Sequence, residues 1–583
     1  MTAKTHILGK DAALEDTIAK AQALLTTHGF PVDLVSSKNP VRNCWSVHLR
    51  SAECPQIYTN GKGGSKLASE ASAILEFFER LSTNLFFFDF YLGNAPENSF
   101  VFYPAEKWFP IDAPAAIPTH HPDGTELLNE TLRTFYNPEG ELLPSQLLDN
   151  NTDQPDRGIA ALPFECMETK ETVYFPVSIL TNLYVSNGMA AGNTPTECRA
   201  QALAEIMERY VKNQIIAEGI CLPDVPQSVL DRFPRIQADI DELNEHGFPI
   251  MVKDASLDGQ FPVICVLLIN PKDGGCYASF GASCRFEVAL ERTVTELLQG
   301  RGLDQLDIFE RPSHDLDAVA DGLNLESHFI DSVGLLSWKM FGNQPDHAFN
   351  DWDFQGTTAE EYAHLMSIIN RLGFSAYCAE YPHCGVYTCR IIVPGMSDIY
   401  PAEDLIWSSK TTGASLRPEL LKLNQMSVDE LNGFTEKLEE LGLSDVQPLS
   451  DAIGVIFEEG TAWHSLRIGE LKGMLSLATG NLKEAAQWCS WCQHFDSLPP
   501  ARQTLYRAIH ELVNFGLTGE NPGVYDANLG LFFDEQTLAD ARNIIAGKLT
   551  FHGLRFAESW EAVSPAHQNF MAIYNRLRPL KTA

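Results

Sequence analysis

Positive charge is scarce in this sequence of 583 residues. Lys and Arg number 42 against 77 Asp and Glu, which gives a formal net charge of −35. No window of the chain is dominated by Lys and Arg. A strongly negative protein without a basic patch repels phosphate backbones and anionic lipid surfaces. We therefore expect no direct binding to nucleic acid and none to membranes.

Long apolar runs are also missing. A membrane-spanning helix needs about 20 apolar residues, and the longest candidate, NLFFFDFYLG, is short and contains Asp89. The first residues, MTAKTHILGKDAALEDT, lack the apolar segment of a signal peptide. Among the 13 cysteines, only Cys489 and Cys492 form a C-x-x-C pair, and no second pair accompanies it to make a zinc site. These absences predict a reduced, cytoplasmic protein.

Three segments of the chain share one order: a short β-like run, a turn containing glycine, and a helix rich in glutamate. In the first two, the turn contains Asn-Gly and the helix ends in Glu-x-x-Glu-Arg. The segments are PQIYTNGKGGSKLASEASAILEFFER (55–80), LYVSNGMAAGNTPTECRAQALAEIMER (183–209) and CYASFGASCRFEVALERTVTELLQGRG (276–302). Recurrence at such wide separation predicts three related structural units rather than a solenoid.

The charged residues of each helix fall on one stripe, since residues three and four apart are neighbours on a helix. The positions next to these charged residues are apolar on every side of the helix, as at Phe77 and Phe78. This pattern predicts that the helices are buried. The stripes are Ser72, Glu76, Glu79 and Arg80 in the first helix; Glu197, Gln201, Glu205, Glu208 and Arg209 in the second; and Arg292, Glu296 and Gln299 in the third.

Three interpretations of these stripes stay open on the residues alone. The first is a solvated helix face with ion pairs, since the motif consists of common helix formers. The second is a buried structural network, because buried charges must be paired but need not do chemistry. The third is a set of carboxylate pairs that share divalent cations. Oxygen ligands suit Mg²⁺ or Ca²⁺, and Mg²⁺ usually completes its shell with water and substrate phosphates.

The third interpretation implies a site for a nucleoside triphosphate. Glycine-containing loops at helix N-termini attract phosphate through backbone N–H groups and the helix dipole, and the loop GKGGS, residues 61–65, adds a lysine. The chain lacks the Walker A pattern G-x-x-x-x-G-K-[ST] and the glycine loop and H-R-D set of a protein kinase. Any use of ATP must therefore follow another design.

The three patterns S-x3-E-x-x-E-R, E-x3-Q-x3-E-x-x-E-R and R-x3-E-x-x-Q-x-R, in this order, resemble the ATP-binding motifs of the YcaO superfamily. The resemblance extends to GKDAALEDT, TNGKG, LYVSNGM, ERTVTELLQGRG and RIIVPGMSDIYPAEDL, so it covers nearly the whole chain. It implies an α/β ATP-binding core of mixed sheets with buried helices, and ATP and several Mg²⁺ ions as cofactors.

The resemblance also implies a role for each matching residue. The metal ligands would be Glu76, Glu79, Glu205 and Glu208. The nucleotide would be lined by Ser72, Asn193, Glu197, Gln201, Arg209, Arg292 and Glu296, with Lys10 and Thr17 approaching it from the N-terminal segment. One position departs from the family pattern, because Ala190 stands where the second motif usually has a serine. The hydroxyl contact is therefore missing, or Ser186 or Asn193 replaces it.

The resembled enzymes use the γ-phosphate of ATP to activate a peptide-bond oxygen, and a side chain, sulfide or an amine then attacks the activated amide. Members resembling this chain over its full length are linked to β-methylthiolation of an aspartate in a small-subunit ribosomal protein, as accessory factors to a radical-SAM methylthiotransferase. This chain has no C-x3-C-x2-C signature for an iron–sulfur cluster. Its end, RLRPLKTA, also differs from the proline-rich tail of azole-forming members.

Two hypotheses for function follow. The first is an ATP- and Mg²⁺-dependent enzyme, or enzyme component, that acts on an amide of a peptide or protein substrate, with a radical-SAM methylthiotransferase and a ribosomal protein as candidate partners. The second is a non-catalytic accessory protein that uses ATP as a structural or regulatory ligand. Under this second hypothesis, the C-terminal part is the working surface.

The last part of the chain differs in pattern from the rest. From about Ser427 it is helical, and SLRIGELKGMLSLATGNLKEAAQWCSWCQHF resembles a tetratricopeptide-like hairpin with its turn at Gly480-Asn481. Such helices would cover the core or close a dimer. We predict an α/β ATP-binding domain over residues 1–425, an all-α tetratricopeptide-like domain over residues 426–583, and a homodimer.

Overall fold

Antiparallel sheets with helices packed on them form the first two thirds of the protein. The computed structural model describes residues 4–94, 99–113, 116–405, 410–495 and 498–582. Its strands are β1 (Val32–Val41), β2 (Cys44–Ser51), β3 (Tyr58–Gly63), β4 (Lys107–Phe109), β5 (Ile159–Cys166), β6 (Thr172–Pro176), β7 (Met189–Gly192), β8 (Ile250–Asp254), β9 (Val263–Ile269), β10 (Cys276–Ala282), β11 (Tyr377–Glu380) and β12 (Tyr387–Ile392).

The described strands form three sheets, and each sheet has its own strand order. The first is β1–β2–β3, the second is β8–β9–β10, and the third is β4–β5–β11–β12–β7 with β6 also paired to β5. Neighbouring strands run antiparallel in all of them. The turn at Asp273-Gly274-Gly275 joins β9 to β10, and Gly274 has a φ of +81° that favours glycine.

The helices of this part lie between and over the sheets. They are α1 (Leu14–His28), α2 (Lys66–Ser82), α3 (Glu130–Tyr136), α4 (Val177–Asn182), α5 (Pro195–Glu218), α6 (Gln227–Leu230), α7 (Pro234–Glu245), α8 (Phe286–Leu297), α9 (Leu316–Ala320), α10 (Gly322–Ile330) and α11 (Thr358–Arg371). As the all-round apolar pattern predicts, Phe77 and Phe78 of α2 are buried. The long α5 starts at the N-cap Thr194 and buries apolar residues along its length.

The three glutamate-rich segments fold as three strand–turn–helix units: β3 with α2, β7 with α5, and β10 with α8. The first and third units match in detail. Thr59 Oγ1 donates to the carbonyl of Ala73 at 2.8 Å, and Ser279 Oγ donates to the carbonyl of Thr293 at 2.8 Å, fourteen residues further on in each case. In both units the hydroxyl residue and the strand that carries it are fixed directly onto the following helix.

A glycine two residues after each of these hydroxyl residues allows the close contact. A Cβ on Gly61 would overlap the carbonyl oxygen of Ser69, and a Cβ on Gly281 would overlap Thr293 Oγ1. Each strand can therefore lie on its helix only because these positions lack a side chain. The same register places Glu76 of α2 and Glu296 of α8 at equivalent positions, each three residues after the carbonyl that accepts the strand hydroxyl.

Helices make up the described residues beyond β12. They are α12 (Arg417–Leu420), α13 (Val428–Glu440), α14 (Leu449–Ile453), α15 (Ala462–Ser465), α16 (Ile468–Ala478), α17 (Leu482–Gln493), α18 (Pro500–Thr518), α19 (Asp526–Phe532), α20 (Glu535–Ile545), α21 (Trp560–Val563) and α22 (Pro565–Leu577). Helices α16 and α17 form the predicted hairpin, with Gly480 at φ +75° in its turn. Cys489 and Cys492 are buried within α17 and are free thiols.

The last helix, α22, packs against the apolar core of the N-terminal part. Phe570 and Tyr574 of α22 pack on Phe87, with ring centroids 5.3 and 5.4 Å apart. Beyond α22, Arg578 Nη2 donates to the carbonyl of Phe100 at 2.6 Å and Lys581 Nζ donates to the carbonyl of Phe102 at 2.8 Å. The C-terminal helices are therefore joined to the N-terminal part by a shared apolar core.

This architecture confirms the predicted α/β core with buried helices and the helical C-terminal region, and its described sheets are antiparallel. The boundary predicted between residues 425 and 426 falls in the short interval between a 3-10 turn at Leu423–Gln425 and α13; the division into two domains stays a prediction. None of the described helices is both long and apolar enough to cross a membrane.

The strand–helix contact at Gly61 gives a first prediction. We expect Gly61→Ala to destabilise the protein by about 1–3 kcal/mol, because a methyl group must push β3 off α2. Thermal melting of the full-length variant measures the loss. The matched control is Gly433→Ala, at an exposed position of α13 where an added Cβ meets nothing. It should leave stability unchanged or raise it by up to about 1 kcal/mol. Equal melting temperatures for both variants would show that the close approach of β3 to α2 at Gly61 does not contribute to stability.

Candidate functional site

The N-terminal segment meets the start of α5 at a buried carboxylate. Glu197 is 2% exposed. Its carboxylate accepts hydrogen bonds from the backbone N–H of Asp11 at 2.9 Å and from Asn193 Nδ2 at 3.1 Å, and it lies 3.6 Å from Lys10 Nζ. Thr17 Oγ1 donates to Asn193 Oδ1 at 2.9 Å. The structure thus brings Lys10, Thr17, Asn193 and Glu197 into one network.

One turn further along α5, a hydrogen bond connects the second and third motifs. Arg292 Nη1 of α8 donates to Gln201 Oε1 of α5 at 2.7 Å, and both side chains are half-buried. Ser72 is half-buried on α2, at the position that corresponds to Arg292 in the matching unit. Arg292 therefore presents a guanidinium between α5 and α8, where an anionic group would be attracted to it.

The next residues of α5 face the glutamates of α2. Glu76 pairs with Arg80, one turn further along α2. Glu205 pairs with Arg209, whose Nε lies 3.0 Å from Glu205 Oε1. Burial raises the pKa of Glu76 above its usual value; Arg80 lowers it, while the nearby carboxylate of Glu205 raises it. Two carboxylates from different helices thus share one partly dehydrated space.

Glu79 has no cation of its own. Its carboxylate makes no hydrogen bond or ion pair with any residue that the structure describes. Burial raises the pKa of Glu79 well above its usual value, and the carboxylates of Glu205 and Glu76 raise it further. Arg80 and Arg209 lower this pKa in part. Negative charge that is only partly balanced in a half-buried site favours the binding of a cation.

Glu208 and Glu296 lie at the same end of the site. Glu208 accepts the backbone N–H of Ala282, at the end of β10, at 2.9 Å. Glu296 of α8 pairs with Lys62 of β3. Burial lowers the pKa of the Lys62 ammonium to about 8, although Glu208 acts against this shift. The sequence pointed to Lys62 only as the lysine that the loop GKGGS adds near the phosphates, and it did not predict the pairing with Glu296.

No three His, Cys, Asp or Glu side chains converge to form a metal cage in the parts of the chain that the structure describes. Arginines and Lys62 already pair with several of the carboxylates. Mg²⁺ commonly takes only one or two protein carboxylates and completes its shell with phosphate oxygens and water. The arrangement therefore fits ions that are shared with a nucleotide, with Glu76, Glu79, Glu205 and Glu208 as the available protein oxygens.

Ala190 supplies no polar group to this site. It is 1% exposed and lies in an apolar cluster with Cys198 and Cys389. Cys198 Sγ donates to the carbonyl of Ala190 at 3.0 Å. Of the two replacements suggested for the missing serine, Asn193 takes part in the network around Glu197, whereas Ser186 makes no hydrogen bond with its side chain among the described residues. The role of each predicted ligand residue stays a prediction.

Comparison with known proteins gives matches over nearly the whole chain. Residues 60–397 match the family YcaO cyclodehydratase, described as ATP- and Mg²⁺-binding, and residues 413–583 match the YcaO cyclodehydratase C-terminal domain. Two similar proteins are an uncharacterized protein of Haemophilus influenzae and the ribosomal protein S12 methylthiotransferase accessory factor YcaO of Escherichia coli. Each is 47% identical in an alignment that covers 100% of this chain and 99% of the relative.

Solved structures match at lower similarity. A heterocyclase in complex with substrate and cofactor is 18% identical with a TM-score of 0.43, over 68% of this chain and 54% of that chain. YcaO from Methanopyrus kandleri bound with AMPPCP and Mg²⁺ is 15% identical with a TM-score of 0.39, over 68% of this chain and 95% of that chain. At these scores the likeness carries no argument about the site.

The network at the start of α5 gives the second prediction. In Glu197→Gln the carboxylate no longer accepts a charge-assisted bond from the Asp11 amide or attracts Lys10, and such bonds contribute about 1.5–3 kcal/mol. We expect amide hydrogen exchange in residues 8–17 to accelerate by about tenfold or more, measured by mass spectrometry. Glu165→Gln is the control, because Glu165 is exposed and lies outside the network. Unchanged exchange in residues 8–17 would show that Glu197 does not hold the segment.

Proposed function

Because the chain belongs to the YcaO family, whose core domain binds ATP and Mg²⁺, we propose that it binds and hydrolyses ATP to activate a backbone amide of a peptide or protein. The family and its cofactors are those that the motifs predicted. The observation that carries the proposal is the meeting of Glu76 and Glu79 of α2 with Glu205 of α5. Their negative charge is only partly balanced by arginines.

In this proposal each part of the site has a separate task. Lys10, Thr17, Asn193, Glu197 and Gln201 hold the nucleoside end at the start of α5, while Ser72, Arg209, Arg292 and Glu296 line the phosphates. Glu76, Glu79, Glu205 and Glu208 hold Mg²⁺, which when bound neutralises phosphate charge. The buried apolar faces of α2 and α5 hold these charged residues in place.

The proposed reaction balances without an oxidant or reductant. The amide oxygen attacks the γ-phosphorus, the bond from that phosphorus to the β,γ-bridging oxygen breaks, and ADP departs. A nucleophile then adds to the amide carbon, and inorganic phosphate leaves with the former amide oxygen. Such phosphoryl transfer depends mainly on alignment and charge neutralisation, which the carboxylates, arginines and glycine-containing turns can supply.

The cellular role that we propose is in modification of a ribosomal protein. The Escherichia coli relative carries the name of an accessory factor of a ribosomal protein S12 methylthiotransferase. By this likeness, the protein would assist β-methylthiolation of an aspartate in a small-subunit ribosomal protein, with a radical-SAM methylthiotransferase and that ribosomal protein as partners. It would act in the cytoplasm as a homodimer.

A second candidate is a non-catalytic accessory protein in which bound ATP stabilises or regulates the fold. The name of the Escherichia coli relative, an accessory factor rather than an enzyme, favours this candidate. The C-terminal helices would then be the working surface. The two candidates differ in ATP turnover, because only the first requires that the true substrate accelerate it.

The metal ligands give the third prediction. We expect Glu79→Gln and Glu208→Gln each to weaken Mg²⁺-dependent ATP binding at least tenfold in calorimetry, because each variant removes a charge at nearly constant volume. Circular dichroism should show an unchanged fold. The control is Glu70→Gln, also on α2, where the glutamate lies 3.8 Å from Lys66 and outside the cluster. ATP affinities equal to that of the wild type in both site variants would overturn the assignment.

The fourth prediction tests amide activation itself. The protein alone should hydrolyse ATP slowly, because water replaces an aligned amide oxygen poorly. The true polypeptide substrate should accelerate turnover, and ¹⁸O placed in its backbone amide should appear in the released phosphate, as detected by mass spectrometry. Unlabelled phosphate despite accelerated turnover would rule out amide activation.

The same assay separates the two candidate functions. If no candidate substrate accelerates turnover and Arg292→Ala leaves methylthiolation of the ribosomal protein intact in cells, the accessory candidate is favoured. Loss of methylthiolation in Arg292→Ala, with Glu70→Gln unaffected, supports a role of the nucleotide site in the modification.

A further inference from the structure

Lys62 lies inside the carboxylate site, although it belongs to none of the three motifs. The direction in which its side chain points from β3 follows from the sequence Gly61-Lys62-Gly63. Side chains alternate between the two faces of a strand, and Gly61 and Gly63 both approach α2 too closely for a Cβ. Lys62 therefore points away from that contact and reaches Glu296 of α8.

The surroundings of Lys62 contain more negative than positive charge. Its ammonium pairs with Glu296, and 26% of its side chain is exposed. The strongest electrostatic effects on it come from Glu208, Arg292, Glu76 and Glu205, and Lys212 of α5 also acts on it. Two of these groups are cations: Arg292 is hydrogen-bonded to Gln201, and Lys212 donates to the carbonyl of His328. The ammonium thus lies near the oxygens assigned to Mg²⁺ and is partly exposed.

The position of Lys62 corresponds to one end of the proposed nucleotide. Glu197 and Glu208 are eleven residues apart on α5, which is about 16 Å along a helix. The residues assigned to the nucleoside lie at the Glu197 end, and those assigned to the metal ions lie at the Glu208 end. Mg²⁺ bridges the β- and γ-phosphates in phosphoryl-transfer sites. Lys62, beside Glu208, therefore lies where the terminal phosphate would be.

We propose that Lys62 binds the terminal phosphate of ATP and makes the site prefer ATP to ADP. This inference rests on the proposed function. When divalent cations occupy the carboxylates, they repel the ammonium, and the nearest anionic group without a fixed partner is the terminal phosphate. A lysine has a flexible stem of four carbons, so its ammonium can leave Glu296 and follow the phosphate. Glu296 then serves as the resting position of Lys62.

The competing explanation is that Lys62 only neutralises Glu296. In that case removal of the lysine would leave one more uncompensated carboxylate, and the site would bind Mg²⁺ more tightly. The ratio of ATP to ADP affinity would not change. The two explanations therefore predict opposite results for the same variant.

The test measures binding of ATP·Mg²⁺, ADP·Mg²⁺ and Mg²⁺ alone to the full-length protein by calorimetry. The variants are Lys62→Met, which keeps length without charge, and Lys62→Gln, which also keeps a hydrogen-bond donor and serves if the first does not fold. The control is Lys66→Met, because Lys66 is exposed on the first turn of α2 and lies 3.8 Å from Glu70.

We expect Lys62→Met to bind ATP·Mg²⁺ at least tenfold more weakly than the wild type and ADP·Mg²⁺ less than threefold more weakly, with Lys66→Met unchanged. Equal losses for both nucleotides, unchanged ATP affinity, or tighter Mg²⁺ binding at a constant ATP-to-ADP ratio would overturn the inference. A wild-type protein that binds no ATP would instead refute the proposed function, and the Lys62 assignment with it.

Discussion

Carboxylates held together in a half-buried space are the constraint on which the rest of this structure depends. Several like charges in one partly dehydrated space are unfavourable unless cations accompany them. Arg80 and Arg209 supply part of that compensation from the same helices, yet Glu79 has no partner among the described residues and its pKa is raised. The protein thus balances the charge of the cluster only in part, which is the physical basis for the proposed metal–nucleotide site.

The fold provides this concentration of charge through repeated close contacts between strand and helix. Gly61 and Gly281 let β3 and β10 lie directly on α2 and α8. The matching hydrogen bonds of Thr59 and Ser279 set the register, which places Glu76 of α2 near Glu205 of α5 and Glu296 of α8 beside Lys62 of β3. Loss of either contact would move a whole helix, and the carboxylates with it. The helix α22 stabilises the same region from the other end of the chain by packing on Phe87.

The spacing of the carboxylates could be predicted from sequence because each pair is local. Glu76 and Glu79 are three residues apart on one helix, and Glu205 and Glu208 repeat that spacing, so helical geometry places each pair on one face. Their role as metal ligands stays a prediction. The pairing of Lys62 with Glu296 joins residues more than 200 positions apart, and no periodicity reports such a contact. The packing of α22 on Phe87 could not be predicted for the same reason, because an apolar face predicts a helix but does not identify the residues that it contacts.

The part of the sequence that departs from the family pattern also has a physical explanation. Ala190 lies in an apolar cluster with Cys198 and Cys389, where a hydroxyl would have to find a partner. The polar contacts of this region come instead from Asn193, which reaches both Thr17 and Glu197. A change of one residue in β7 is thus compatible with an intact network at the start of α5.

A crystal structure of the full-length protein with a non-hydrolysable ATP analogue and Mn²⁺ would test the central claim most directly, because Mn²⁺ can be located by its anomalous scattering. The account predicts Mn²⁺ ions within about 2.5 Å of carboxylate oxygens of Glu76, Glu79, Glu205 and Glu208, and also in contact with the phosphates. Mn²⁺ or nucleotide bound elsewhere, with the arginine pairs of these glutamates intact, would contradict it.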